Sequence, residues 1–129
     1  MRNLVRMVTL GGFIAAATLA AAQTARYPSR TIEIVVAYGA GGSTDLVARA
    51  LAQKFQDRLG QSVVVLNKPG GSGTIGATVA ARANPDGYTL YVGYTSETVV
   101  VPQLSKNAKY SIDDFEPIAV TGLVPLVLI

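Results

Sequence analysis

Tyr38-Gly39-Ala40-Gly41-Gly42-Ser43-Thr44-Asp45 joins a β-branched run to an amphipathic stretch, and the fold is read outward from it. On its N-terminal side, residues 32–37 carry Ile32, Ile34, Val35 and Val36, the composition of a strand covered on both faces. On its C-terminal side, residues 46–59 place Leu46, Val47, Ala50, Leu51, Phe55 and Leu59 along one helical face, and Gly60 stands where a helix stops. Three glycines in four positions leave the connecting backbone open to an approaching group. Ser43 or Thr44 is expected to cap the helix through its hydroxyl. Asp45, in the first turn, reads as a structural cap or loop tether rather than a catalytic base. Amides at a helix start lack intrahelical partners, so this turn can receive an anion.

The same construction recurs. Residues 62–66 form a second β-branched run, followed by Asn67-Lys68-Pro69-Gly70-Gly71-Ser72-Gly73. Thr74 is placed to cap a helix over 75–83, with Ile75, Val79 and Ala83 in register. Asn84-Pro85-Asp86-Gly87 is a turn by composition. Residues 88–94 read as a third strand with the polar tip Thr95-Ser96-Glu97-Thr98 behind it, and Ser111-Ile112-Asp113-Asp114-Phe115 as a single capped turn. Residues 118–120 and 123–129 are β-prone. Strand–helix alternation with short connections gives an α/β fold, a parallel βαβαβ lobe with right-handed crossovers. Ligands of such sheets bind outside the carboxyl ends of the strands, so residues 38–44, 70–74 and 95–97 are expected to converge there.

The 129 residues amount to one domain or less. Met1 to Arg6 carries two arginines, an apolar run follows, and Ala20-Ala21-Ala22 supplies small residues for cleavage. Residues 1–22 are therefore expected to be a secretory signal peptide, leaving no membrane insertion once removed. Residues 23–122 would be the first α/β lobe. Residues 123–129 would begin a crossover toward a second one, truncated on the apolar Leu126-Val127-Leu128-Ile129. Losing Arg2 and Arg6 lowers the formal charge from +3 to +1, so no nucleic-acid partner is implied. What charge remains is uneven: residues 26–82 hold seven basic side chains against three acidic ones, which favours an anionic ligand at the glycine loops. With no cysteine and no histidine, a disulfide framework and a Ser-His-Asp triad have no residues to build them, and a zinc site lacks its usual ligands. No metal and no cofactor are expected.

Blander readings stand beside these. A glycine-rich turn is commonly only a turn. Thr95 and Ser96 could be solvated loop residues, Glu97 a solvated acid, Tyr38 a pocket wall or a surface aromatic, and Arg49, Lys54 and Arg58 the outer face of a helix. Gly71-Ser72-Gly73-Thr74-Ile75-Gly76 also matches G-x-G-x-x-G, with Glu97 about 20 residues on, as in a dinucleotide-dependent oxidoreductase. That alternative is weakened by the four residues between strand and fingerprint and by the export signal.

Five motifs in order carry a resemblance. They are Tyr27-Pro28-Ser29-Arg30 with Ile32-Glu33-Ile34-Val35-Val36; Gly41-Gly42-Ser43-Thr44-Asp45; Asn67-Lys68-Pro69-Gly70-Gly71-Ser72-Gly73-Thr74-Ile75-Gly76; Ala83-Asn84-Pro85-Asp86-Gly87-Tyr88-Thr89-Leu90; and Asp113-Asp114-Phe115-Glu116-Pro117-Ile118. Over residues 27–129 the chain resembles the tripartite tricarboxylate transporter substrate-binding proteins, the TctC-like or Bug receptors of Gram-negative bacteria. The resemblance implies a periplasmic, two-lobed Venus-flytrap receptor that is not an enzyme. Such a receptor closes over a small carboxylate-bearing organic anion and delivers it to membrane permease subunits. It also implies that ligand contact falls to Gly41, Gly42, Ser43 and Thr44, to Gly71, Ser72, Gly73 and Thr74, and to Thr95 and Ser96. The chain departs from the family where Ala37-Tyr38-Gly39-Ala40 replaces the usual Pro-Phe-x-Pro, and where Val101 replaces a common Asn. Tyr38, Gly39 and Ala40 therefore join the candidate wall. Glu97 beside it suits an amino-bearing or neutral solute better than a polycarboxylate. The same pocket would also serve a ligand-sensing module that reports to a sensor kinase.

Overall fold

The computed structural model describes residues 26–106 and 108–123; the expected signal segment and the run after Leu123 lie outside them. Three strands, β1 (Ile32–Val36), β2 (Val63–Asn67) and β3 (Thr89–Val92), form a sheet of order β2-β1-β3. Both pairings are parallel. The long helix α1 (Ser43–Leu59) connects β1 to β2, and α2 (Thr74–Ala81) connects β2 to β3. Central β1 forms the core: Ile32, Ile34, Val35 and Val36 are all buried, and Val63, Ala48 and Ala52 cluster with Ile32, Ile34 and Val36. Val36 lies opposite both Asn67 and Val92, so the three strands end flush and their following loops leave from one edge.

The expected architecture is present, with corrections inside it. The buried face of α1 is Thr44, Asp45, Ala48 and Ala52, supported by half-buried Leu51 and Phe55. Leu46 is 61% exposed, and Val47 and Leu59 also face solvent. The small side chains, rather than the longest apolar ones, meet the sheet because they let the helix lie close to it. In α2, Gly76 and Ala77 are buried while Ile75 and Val79 are exposed, for the same reason. Neither expected hydroxyl cap forms. Gly42 is the N-cap of α1 in extended conformation (φ −75°, ψ 168°) with no side-chain bond. Gly73 precedes α2, and the Thr74 hydroxyl donates back to the Gly71 carbonyl at 2.8 Å.

Gly60 ends α1 in left-handed conformation (φ 66°), its N–H reaching the Gln56 carbonyl. The turn Ile112–Asp114 is capped as the sequence indicates: Asp113 N–H donates to Ser111 Oγ, and Ser111 N–H to Asp114 Oδ2. The third strand is shorter than 88–94, because the chain leaves the sheet at Gly93. It continues through a π-helical turn, Ser96–Val100, into the short helix α3 (Val101–Leu104). Residues 118–120 are exposed and join no strand among the described residues. No described helix is long and apolar enough to cross a membrane.

Candidate functional site

The loop after β1 is held from below by one carboxylate. Asp45, 2% exposed, accepts from the Gly41 N–H at 2.9 Å, the Arg49 Nε at 2.9 Å and the Asn67 amide at 2.9 Å. Asn67 also donates to the Tyr38 carbonyl at 3.0 Å, joining the end of β2 to the start of this loop. Arg49 is thus part of a latch rather than a free outer-face cation. The Asp45–Arg49 spacing of four on a helix was the signal available for it.

Together Arg49, the Gly41 N–H and the Asn67 amide hold the Asp45 carboxyl well below the usual carboxylate range. A depressed native value gives stability that is complete above the unfolded value of about 3.9 and is lost as pH falls toward the native one. Asp45→Asn is expected to lower the melting temperature at neutral pH. The gap to wild type should shrink on acidification below about pH 4, read by calorimetry across the acid range. A gap that widens on acidification would overturn this account.

The loop after β2 makes a left-handed turn through Gly70 (φ 123°), Gly71 (58°), Ser72 (54°) and Gly73 (90°). Ser72 is the only non-glycine with positive φ among the described residues, a conformation that costs about 1–2 kcal/mol. Gly73 is required by packing, since a Cβ there would lie 2.8 Å from Glu97 Cβ. Among the described residues, the N–H groups of Gly71 and Ser72, like those of Ser43 and Thr44 at the start of α1, donate to no protein group. The Gly41 amide, by contrast, is already taken by Asp45.

The loop after β3 is organised by Glu97, which is fully buried rather than solvated. Its carboxylate accepts from Tyr38 Oη (2.9 Å), Ser96 Oγ (2.7 Å), Tyr91 Oη (3.4 Å) and the Tyr94 N–H. Tyr110 Oη donates to its backbone carbonyl. Burial and this carboxylate push the Tyr91 phenol far above its ordinary value. Tyr38 is raised mainly by burial and further by Glu97, against a lowering hydrogen bond from Ser96. Hydrogen bonds to Ser43 and Thr44 lower Tyr94, whose hydroxyl lies against Ser43 Oγ.

The structure therefore brings Tyr38, Ser43, Thr44, Gly73, Ser96 and Glu97 into one cluster, with Gly71 and Ser72 on the adjoining turn. Gly39, Ala40 and Gly42 are exposed on the rim. Thr95 is exposed. Asn67, Tyr91 and Tyr94 build the site without having been singled out in the sequence; only proximity in the sheet reveals them. A cleft of about 740 Å³ runs beside the outer edge of β3, among Leu90, Tyr91, Phe115 and Pro117.

Residues 47–129 match the family described as the tripartite tricarboxylate transporter family receptor. The chain is similar to protein BugT of Bordetella pertussis, 42% identical over 98% of this chain and 40% of that protein. Among solved structures it is similar to MatC from Rhodopseudomonas palustris with bound malate. There the identity is 39% and the TM-score 0.66, covering 70% of this chain and 31% of that one. A second R. palustris protein, solved with adipate, is 38% identical with a TM-score of 0.53, over 54% of this chain and 23% of that one. The chain spans about two fifths of the length of the curated relative. By sequence and fold it belongs to the tripartite tricarboxylate transporter (TctC/Bug) receptor family of solute-binding proteins.

Proposed function

We propose that this chain forms the first lobe of a periplasmic receptor that captures a small carboxylate-bearing organic solute for a tripartite tricarboxylate-type transporter. The observation that carries the reading is the pair of amide sets, Ser43–Thr44 and Gly71–Ser72, that donate to no protein group among the described residues, on loops leaving the same edge of a parallel sheet. Helix N-terminal amides stabilise an anion without a buried countercharge that must be desolvated. The acids bound by the two R. palustris relatives support the same ligand class. In this reading residues 1–22 export the chain, a second lobe closes over the docked acid, and the closed form meets the membrane permease; no catalysis is involved.

Gly42→Val tests the site in the full-length protein. The position has extended backbone, and a Cβ there meets only the Gly39 carbonyl at 3.6 Å. The cost to stability is therefore held to about 1 kcal/mol, the loss of a favourable N-cap residue. The β-branched side chain would shield the neighbouring amides, and affinity for carboxylates by calorimetry is expected to fall by about tenfold or more. Undiminished affinity would remove these amides from the binding site.

A further inference from the structure

The protons around Glu97 are already spent inside the protein, and this bears on which acids the proposed site accepts. Tyr38 Oη and Ser96 Oγ each carry one hydrogen, and both point it at Glu97 Oε2, at 2.9 and 2.7 Å. A carboxylate can only accept, so these directions follow from chemistry. A hydroxyl whose hydrogen is committed presents only lone pairs to an incoming group. Ser96 is exposed and Tyr38 half-buried, so both side chains reach the rim, and each hydroxyl rests on the buried Glu97 carboxylate.

Resting on the carboxylate-receptor reading, we infer that the Tyr38–Ser96–Glu97 wall is an acceptor surface selecting acids that carry a hydrogen-bond donor, a hydroxyl or an ammonium group, beside the carboxylate. The two ends of the site are then unlike. The amides of Ser43, Thr44, Gly71 and Ser72 offer hydrogens to the carboxylate, whereas the wall takes a hydrogen from the substituent. A bare methylene placed there leaves both lone-pair groups desolvated and unpaired. A second carboxylate placed there meets Glu97 across a short distance. Discrimination against a missing donor is the kind a polar site makes strongly.

Calorimetric titration of the full-length protein with matched four-carbon acids tests this: malate and aspartate, each against succinate. Wild type is expected to bind at least one donor-bearing acid about tenfold or more tighter than succinate. Glu97→Gln supplies an amide donor to the cluster and frees a hydroxyl hydrogen, and should bring that ratio to within about threefold. Ser96→Ala, at an exposed position, should shrink the ratio too and covers the case in which Glu97→Gln fails to fold. Succinate binding as tightly as both substituted acids would overturn the inference while leaving the carboxylate reading intact. A ratio unchanged in folded Glu97→Gln or in Ser96→Ala would do the same. Failure of all three acids and of longer dicarboxylates to bind would overturn both.

Discussion

Gly76→Ala is expected to destabilise the protein by about 2 kcal/mol, and Gly76→Val by more, in urea unfolding. Two effects oppose each other. Alanine is a better helix former than glycine by about 1 kcal/mol, so an unpacked site would gain stability. Here the added Cβ would sit 2.6 Å from Ala37 Cα and 2.9 Å from the Lys68 carbonyl, which are backbone atoms with no rotamer to yield. Helix α2 must then lift from the sheet, and overpacking of about 3 kcal/mol outweighs the propensity gain. The displacement would carry the Gly71–Ser72 turn with it, so carboxylate affinity should fall in parallel. Gly39→Ala is the control. Nothing lies within 4 Å of a Cβ there, and its stability should stay within about 0.5 kcal/mol of wild type. A stabilised Gly76→Ala would show that the helix–sheet spacing is looser than described.

Glu97→Ala should have an effect at least as large, about 4 kcal/mol, because one change leaves several donors without an acceptor. Tyr38, Ser96 and Tyr91 would lose the oxygens they point at, and the Tyr94 N–H would lose the partner that draws the chain out of β3. The exposed hydroxyl of Ser96 can find water, so the larger share comes from Tyr91 and the Tyr94 backbone. Glu97→Gln retains shape and one acceptor oxygen and should cost about 1–2 kcal/mol. Chemical denaturation of the three proteins gives the order directly. An alanine variant as stable as the glutamine one would mean that the cluster contributes little to holding the third loop.

Much of this architecture was legible in the chain because parallel sheets announce themselves. The β-branched runs at 32–37 and 62–66, each followed by glycines and a helix, allow essentially one topology, and that topology puts the loops on one edge. The helix faces were not legible from side-chain size. Leu46, Val47, Ile75 and Val79 dominate any count of apolar residues, yet Ala48, Ala52, Gly76 and Ala77 touch the sheet. Close approach of helix to strand selects for small residues, a demand that hydrophobicity does not record. The hydroxyl caps failed for a related reason. Glycine at the N-cap already permits the required backbone, and Asp45, three positions on, turns its carboxylate back to the Gly41 amide in the loop. Glu97 was opaque because its burial depends on tyrosines 38, 91, 94 and 110, which no local window brings together.

The three-way grip on Asp45 has a thermodynamic consequence for any solute. Asp45 belongs to α1, Gly41 to the first loop and Asn67 to the end of β2, so the start of one loop and the root of the next are fastened to a single anchor. Their conformational entropy is surrendered when the chain folds, before a ligand arrives. Association then need not order the backbone, and the free energy otherwise spent on that ordering is available as affinity. Preorganisation of this kind also confines variation: rim positions such as Gly39 and Ala40 can diverge without disturbing the frame, whereas a change at Asp45 or Asn67 would loosen both loops together.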